Sequence, residues 1–324
     1  MTGEIEGTSQ LCIDFNSHLH PLDPEEKQYV RRRVEEESGE PIFRDIDSLR
    51  DIHTKAGVDG GVVSSQFYMG HEDVGRVRKA NNKLLEEIKG YERYYGLAAI
   101  PGAVDGDIAA SEFKRCLDNG FNGGGIKTES NGIELHDPEL EPVFEVADQT
   151  GAPILVKPKI HDSLRSPTLD DSWQLNAIFG REAAIAASIC QVIHEGVLDR
   201  FENLNLVFHH SGGNIAGMMD RIELKLYDGS WYRSDQVKPF DEFKTQLEER
   251  IYLDSSGYFG SPRVFRATLE EFPSSQFLFG TDYPFETRSP ETFQKLINSI
   301  EDVTSGIDAK QILGQNALNL LVNK

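Results

Sequence analysis

The sequence contains little cysteine and no long apolar run. Its three cysteines, Cys12, Cys116 and Cys190, are far apart and form no CxxC pair, so neither a disulfide framework nor a thiolate zinc knuckle is indicated. No apolar run reaches the roughly 18 residues of a membrane span, and the opening "MTGEIEGTSQ" lacks the basic-then-apolar pattern of a signal peptide. We therefore expect buried thiols, no membrane partner and a cytoplasmic location.

Basic residues are also scarce. The 324 residues include 33 lysines and arginines against 54 aspartates and glutamates, for a formal net charge of −21. Because a phosphate backbone is bound by clustered cations, we expect no nucleic-acid partner. With 38% hydrophobic residues and a mean hydropathy of −0.43, the composition is typical of a soluble globular protein.

The chain repeats a short β-forming segment followed by a segment of helical periodicity, with no low-complexity linker. The predicted strands are 10–18, 60–68, 94–102, 123–130, 153–158, 205–212, 251–257 and 277–284. The predicted helices are 44–56, 75–89, 107–119, 137–150, 183–201, 214–226, 261–271, 290–300 and 308–322. Eight repeats of strand and helix predict an α/β fold of the (β/α)8 TIM-barrel type.

One alternative fold is an open, doubly wound sheet. Such sheets often carry a glycine-rich GxGxxG turn after the first strand, and none is present. The segment "GFNGGG" at 120–125 precedes a predicted strand and indicates a turn. We therefore interpret 1–324 as a single barrel domain.

Two insertions interrupt the barrel pattern. The segment 22–44 is charged along its length and predicts a helix on the outer or entrance side of the barrel. The segment 159–182 follows the fifth strand and contains Arg165, Trp173 and Phe179, residue types suited to covering a site and binding a carboxylate. An ordinary surface excursion explains this second insertion equally well.

Polar residues end six of the predicted strands, at the barrel end where active sites of this fold form. They are Asn16, His18 and His20 on strand one, Lys127 and Glu129 on strand four, Lys157 on strand five, His209 and His210 on strand six, Asp254 on strand seven and Asp282 on strand eight. Because side chains alternate along a strand, the three polar residues of strand one share a face.

Each of these residues also has a structural explanation. A lone histidine at a strand end is commonly a hydrogen-bonded core or rim residue, and Asp282 in "GTDYP" is suited to capping a turn. Lys127 and Lys157 follow apolar residues, so inside a barrel they lose hydration and need a partner. The convergence of so many polar residues on one rim favours a functional site.

Several motifs resemble those of a known family. "IDFNSHLHP" resembles an opening of the form IDxHxHxxP, and "VFEVADQTGAPILVKP" resembles the helix and strand before a V-H-P metal histidine. "FENLNLVFHHSGGNIAGMMDRIE" resembles a segment with AHGGG and a later DR, "FLFGTDYPFE" resembles G-[ST]-D-Y-P-F, and "KQILGQNALNLL" resembles a closing GNAxxL helix. From residue 11 to 322, the chain resembles the amidohydrolase 2 family, typified by aminocarboxymuconate semialdehyde decarboxylase.

The resemblance implies a metal-dependent hydrolase-like barrel that binds one divalent metal, usually zinc, and decarboxylates or hydrolyses a small carboxylate. It implies that His210 is catalytic, that His18 ligates the metal, and that Asp282 ligates the metal and handles a proton. Two positions depart from the family pattern, because Asn16 and Lys157 stand where the family has metal histidines. An amide oxygen is a weak zinc ligand and an ammonium cannot ligate.

Three arrangements reconcile these departures with a site. In the first, His18 and His20 form a shifted pair that binds the metal with Asp282, joined by His210 or by His161 from the loop after strand five. In the second, Lys157 is carboxylated, as lysines are in other branches of the superfamily, and ligates as a carboxylate. In the third, no metal is bound and Lys157 supplies the positive charge.

The substrate side of the site is predicted from the same rim. We expect Asn16, Lys127, Arg165 and Trp173 to bind a small carboxylate substrate, with Lys157 catalytic beside His210 and Asp282. Without a metal, a lyase using Lys157 or Lys127 as a Schiff-base amine remains open, as does a barrel that only binds a ligand. The resemblance also implies a homodimer.

Overall fold

The computed structural model describes residues 10–21, 45–159, 173–228 and 237–322. Eight parallel strands form one sheet, and each strand pairs with the next along the chain, which confirms the predicted (β/α)8 barrel. The strands are β1 (Ile13–His18), β2 (Gly60–Ser64), β3 (Tyr94–Ala99), β4 (Gly123–Lys127), β5 (Ile154–Lys157), β6 (Leu206–Phe208), β7 (Ile251–Asp254) and β8 (Phe277–Leu278). The predicted insertion 22–44 and residues 160–172 of the second insertion lie outside the described residues.

Helices surround this sheet. They are α1 (Ile46–Ala56), α2 (Val74–Ile88), α3 (Gly106–Asp118), α4 (Glu141–Thr150), α5 (Arg181–His194), α6 (Val197–Arg200), α7 (Met219–Asp228), α8 (Phe240–Arg250), α9 (Pro262–Glu271), α10 (Pro290–Glu301), α11 (Gly306–Lys310) and α12 (Asn316–Val322). Within the described ranges, no helix is long and apolar enough to cross a membrane.

The helix predictions were wrong in detail at three places. The predicted helix 183–201 divides into α5 and α6 around Gly196, whose φ of +69° is left-handed. The predicted helix 308–322 begins at Gly306 and contains a π-helical turn at Gln311–Gln315. Helix α8 was not predicted, although its buried residues Phe243 and Leu247 have helical spacing.

The last three glycines of "GFNGGG" lie in a strand, in agreement with the predicted strand 123–130 and not with the turn predicted for 120–125. Gly123–Lys127 form β4, and the turn is confined to the residues before it, with Gly120 at a φ of +111°. A Cβ atom on Gly125 would lie 2.1 Å from Cε of Met69, so glycine is required for the close approach of that side chain. Residues 129–130, predicted as the end of this strand, instead form a short antiparallel pair with Ile133–Glu134.

The barrel closes between β1 and the segment that follows β8. The Phe15 N–H donates to the Phe279 carbonyl at 2.7 Å, and the His18 N–H donates to the Tyr283 carbonyl at 2.9 Å. The buried Asp14 carboxylate accepts hydrogen bonds across this seam from the Thr281 N–H at 3.0 Å and the Thr281 hydroxyl at 2.6 Å. These bonds hold the first and last strands in one register.

Strand β1 contains one extra residue relative to β2. Asp14 pairs with Gly61 and Ser17 pairs with Val63, so three steps on β1 match two on β2. Such a bulge changes which face the following side chains occupy. Phe15 packs in the apolar cluster inside the barrel, and Asn16, its neighbour, contacts the polar cluster described below.

We expect Asp14→Ala to lower the free energy of unfolding by about 3–5 kcal/mol, because it leaves the buried donors of Ser17, Thr281 and the Asn16 N–H without an acceptor. Urea denaturation measures this change. Asp118→Ala is the control, because the exposed Asp118–Lys114 pair contributes no more than about 1 kcal/mol. Equal losses in the two variants would contradict the proposed role of Asp14 in closing the barrel.

Candidate active site

Six residues bring polar side chains together at the carboxyl ends of the strands, and each residue is at most 6% exposed. They are Asn16 and His18 from β1, Lys157 at the end of β5, His209 after β6, Asp254 at the end of β7 and Asp282 after β8. Ladder hydrogen bonds fix the ends of these strands relative to one another, so the side chains converge on one point.

The Lys157 ammonium lies at the centre of this cluster. Its Nζ atom is 2.7 Å from Asp282 Oδ1, 3.0 Å from His18 Nε2 and 3.0 Å from His209 Nε2. The Asn16 Oδ1 atom is 3.4 Å away. The ion pair with Asp282 is nearly fully buried, with side-chain exposures of 6% and 9%. The need for a partner inside the barrel, predicted for Lys157 from the sequence, is met by a carboxylate.

His18 is held as a neutral imidazole. Its Nδ1 atom lies 2.8 Å from the Ser64 hydroxyl, and its Nε2 atom lies 2.9 Å from Asp282 Oδ1. Burial and the neighbouring Lys157 charge lower the pKa of His18 to about 4, although Asp282 opposes them. The ring is therefore uncharged at neutral pH.

Asp254 and His209 form the second half of the cluster. Asp254 Oδ2 accepts a hydrogen bond from Asn16 Nδ2 at 2.8 Å and lies 3.0 Å from His209 Nδ1. Burial raises the pKa of Asp254, but His209 and Lys157 outweigh it and hold this pKa at about 2. Burial and Lys157 lower the pKa of His209, but Asp254 and Asp282 outweigh them and raise it above its usual value. Burial also raises the pKa of Asp282, but Lys157 and His209 outweigh it and hold this pKa well below its usual range.

His210 belongs to an adjoining acidic group rather than to the Lys157 contacts. Its Nδ1 atom is 2.7 Å from Glu182 Oε1, and its Nε2 atom is 3.7 Å from Glu286 Oε1. Tyr258 donates a hydrogen bond from its hydroxyl to Glu182 Oε2 at 3.3 Å. Burial raises the pKa of Glu286, and Asp282 acts in the same direction. His210 is thus oriented by Glu182 and faces a second carboxyl group.

Two of these residues have left-handed backbone conformations. The φ angles are +53° at His210 and +51° at Asp282. For residues with a Cβ atom this conformation costs about 1 kcal/mol or more, and it is concentrated at functional sites. The angles direct both side chains toward the polar end of the barrel.

Other predicted site residues lie outside the cluster. His20 follows the end of β1, and its buried ring stacks on Phe67 with centroids 4.2 Å apart. Lys127 is half-buried and pairs with Lys157 in the ladder between β4 and β5. Trp173 is 75% exposed. Arg165 and His161 lie outside the described residues, so their predicted roles, like those of His20, Lys127 and Trp173, stay predictions.

The sequence pattern predicts His209 and Asp254 on the rim without a role, and it does not indicate Glu182 or Glu286. The apolar run before His209 and the strand-end position of Asp254 were the available signals. Glu182 lies in the first turn of α5 and reaches His210 only through tertiary packing, so no local pattern reveals it.

A family model for amidohydrolases matches residues 15–321. The chain belongs to this amidohydrolase family. It is 30% identical over 234 residues to 2-amino-3-carboxymuconate-6-semialdehyde decarboxylase of Dictyostelium discoideum, an alignment that covers 71% of this chain and 61% of that protein. It is 28% identical over 225 residues to gamma-resorcylate decarboxylase of Rhizobium sp. (strain MTP-10005), covering 64% of this chain and 65% of that protein. The amidohydrolase chain therefore spans less than two thirds of the length of these curated relatives.

Solved structures show the same fold. Dihydroxybenzoic acid decarboxylase from Polaromonas sp. JS666, with bound manganese and the inhibitor 2-nitroresorcinol, superposes with a TM-score of 0.80 at 21% identity, covering 97% of this chain and 98% of that one. 2,6-Dihydroxybenzoate decarboxylase from Rhizobium superposes with a TM-score of 0.79 at 21% identity, covering 96% and 98%. At this identity the likeness establishes the barrel fold of this amidohydrolase.

A divalent metal was predicted here, and the ligand atoms of His209, His210 and Asp282 lie within 4.8 Å of one another. However, Lys157 Nζ is already 3.0 Å from His209 Nε2 and 2.7 Å from Asp282 Oδ1. An ammonium offers three donors and no lone pair, and it repels a second cation at this distance. With Lys157 in this position, the residues of the cluster do not fit a divalent ion.

The pKa of His18 predicts a pH dependence of stability for protein stripped of metal. The unfolded chain protonates this histidine near pH 6.5, whereas the folded chain does so only near pH 4, so the unfolded state binds more protons between these values. The free energy of unfolding should therefore fall as pH decreases from about 6.5 to 4, by roughly 3 kcal/mol from this residue. Below pH 4, protonation of Asp254 and Asp282 should reduce it further.

Urea denaturation at a series of pH values measures this slope. His18→Gln retains hydrogen-bonding capacity without a titrating ring, so it should remove the part of the slope between pH 6.5 and 4. A variant with the same slope as the native protein in that range would contradict the assignment to His18.

Proposed function

We propose that this amidohydrolase is a carboxy-lyase that removes CO2 from a small aromatic or unsaturated acid. The main support for this proposal is the buried cluster of one ammonium, carboxylates and imidazoles at the carboxyl end of the barrel. The Lys157–Asp282 ion pair lies at its centre. Its relatives in sequence include decarboxylases of small carboxylates, which supports decarboxylation over hydrolysis.

Aromatic side chains beside the cluster support a planar substrate. The Phe285 ring lies 5.6 Å from the His18 ring, and the Phe67 and Phe285 rings meet edge-to-face at 5.8 Å. Both phenylalanines are partly exposed, so they can contact a bound ring while the polar cluster lies next to its carboxylate. This arrangement has one apolar wall and one charged wall, as expected of a site for an aromatic acid.

Decarboxylation requires a proton at the carbon that loses CO2. The bond between that carbon and the carboxylate breaks, CO2 leaves, and a proton takes its place on carbon. His210 is suited to transfer this proton, because Glu182 holds its Nδ1 side at 2.7 Å and leaves Nε2 directed toward Glu286. Asp282, ionised beside Lys157, is suited to stabilise a protonated group.

The alternative lyase mechanism uses a lysine as a Schiff-base nucleophile. An ammonium cannot add to a carbonyl group, and Lys157 is paired with Asp282 at 2.7 Å. This contact favours an electrostatic role for Lys157 over a covalent one. A barrel that only binds its ligand is the other alternative, and the oriented His210–Glu182 pair favours catalysis.

Four finer expectations stay predictions. They are zinc as the metal, with which the position of Lys157 Nζ disagrees, assembly as a homodimer, a cytoplasmic location, and substrate binding by Asn16, Lys127, Arg165 and Trp173. Metal analysis, sedimentation and cell fractionation test the first three.

Activity is tested by measuring CO2 release from a panel of aromatic acids that includes 2,6-dihydroxybenzoate. His210→Asn should lower kcat by about 100-fold or more, because it removes the proposed proton-transfer group. His194→Gln is a matched control, because His194 ends α5 and stacks on Phe243 of α8. This variant should leave kcat within about twofold. Release of an alcohol or amine product without CO2 would indicate hydrolysis and contradict the proposal.

The aromatic wall gives a second prediction. Phe285→Leu should raise the KM for an aromatic acid by about threefold to tenfold, with a smaller change in kcat, because an aromatic pair contributes about 0.5–1.5 kcal/mol. Phe201→Leu, on the helix layer against Phe144, serves as the control for a general loss of packing. An unchanged KM would place the substrate ring elsewhere.

A further inference from the structure

We propose that the Lys157 ammonium takes the place of a divalent metal ion, so that this amidohydrolase works with a cation supplied by its own chain. The inference deepens the proposed function and rests on it for the chemistry, although the metal content that it predicts can be measured without any substrate. It starts from the disagreement between the family expectation of a metal and the position of Lys157.

The atoms around Lys157 Nζ are arranged as they would be around a metal ion. A metal ion in a protein is surrounded by imidazole nitrogens and carboxylate oxygens that converge on one point. Here His18 Nε2, His209 Nε2 and Asp282 Oδ1 converge on Lys157 Nζ, at 3.0, 3.0 and 2.7 Å. These are hydrogen-bond distances to a nitrogen donor, longer than the roughly 2.0–2.2 Å at which zinc binds such atoms.

The buried carboxylates of the cluster are already paired. Asp282 forms its ion pair with Lys157, and Asp254 is held by His209 Nδ1 at 3.0 Å and by Asn16 Nδ2 at 2.8 Å. Each buried carboxylate in the Lys157 cluster therefore already has a donor partner. A divalent ion added beside them would place two further positive charges next to Lys157 in a buried site.

Asn16 lies between a carboxylate and the Lys157 ammonium. Its amide donates from Nδ2 to Asp254 and turns Oδ1 toward Lys157 Nζ at 3.4 Å. An amide can bridge a carboxylate and an ammonium in this way because it has both donor and acceptor atoms. The residues at positions 16 and 157 thus complement each other, since the amide oxygen faces the ammonium.

The chemical role follows from where this charge lies. A fixed positive charge in a site shielded from water stabilises negative charge that develops on the substrate as CO2 leaves. Lys157 carries out this role without a coordinated water, so the proposal favours carbon–carbon cleavage over attack by a metal-activated hydroxide. The proton still reaches carbon from the proposed His210 group.

The test begins with the native protein purified from cells grown with added zinc and manganese. We expect fewer than about 0.1 metal ions per chain by elemental analysis, and no change in melting temperature when EDTA, zinc or manganese is added. Activity on any accepted acid should change by less than twofold under the same additions. About one tightly bound ion per chain, whose removal lowers activity or melting temperature, would overturn the proposal.

A double variant tests the converse. Asn16→His with Lys157→His removes the ammonium and surrounds the same point with histidines and Asp282, so it should bind about one zinc or manganese ion per chain and melt at higher temperature with metal than with EDTA. Asn16→His with Lys83→His is the matched control, because Lys83 is exposed on α2, and it should bind none. Absence of metal binding by a folded double variant would contradict the identification of Lys157 Nζ with a metal position.

Single variants connect the charge to catalysis. Lys157→Met keeps an unbranched side chain but removes the charge, and it should lower kcat by about 100-fold or more, without recovery on addition of metal. Lys157→Arg keeps the charge and should retain more activity than Lys157→Met. If no acid is turned over by the native protein, the proposed function fails while the metal measurements still decide the present inference.

Discussion

The buried ion pair between Lys157 and Asp282 is the interaction on which the site depends. Removing two charges from water costs several kcal/mol for each ion, and their attraction offsets this cost only when the remaining donors and acceptors are also satisfied. The contacts of Lys157 with His18, His209 and Asn16 meet that requirement. A pair of apolar residues of similar volume would stabilise a barrel at least as well, so the charged pair is best explained by chemistry rather than by stability.

The seam of the barrel determines where this pair forms. Lys157 lies on β5, whereas His18 and Asp282 approach from the two sides of the closure between β1 and the segment after β8. Asp14 bonds to Thr281 across that closure, and the bulge in β1 directs Asn16 into the same cluster. A change of register at the seam would therefore displace half of the polar groups around Lys157. The site thus depends on the same hydrogen bonds that close the barrel.

Periodicity predicted the barrel and most of the cluster, because a parallel sheet brings all strand ends to one rim. Periodicity does not predict the parts of the site that depend on tertiary contacts. His20, predicted to share the face of His18, lies beyond the end of β1, where its ring stacks on Phe67. Glu182 reaches His210 from a separate helix, and α8 was missed because few apolar residues mark it. The position of Lys157 Nζ could not be predicted, since its contacts come from three other segments of the chain.

The left-handed backbone at His210 and Asp282 lowers the stability of the folded protein at its candidate active site. Each conformation stores free energy that the folded state would release if the residue were glycine, as would that of the neighbouring Ser211 at a φ of +50°. Selection for thermal stability alone would therefore favour glycine at these positions and would remove the imidazole and carboxylate from the polar end of the barrel. These strained turns therefore lower the stability of the fold while they place an imidazole and a carboxylate at the polar end of the barrel.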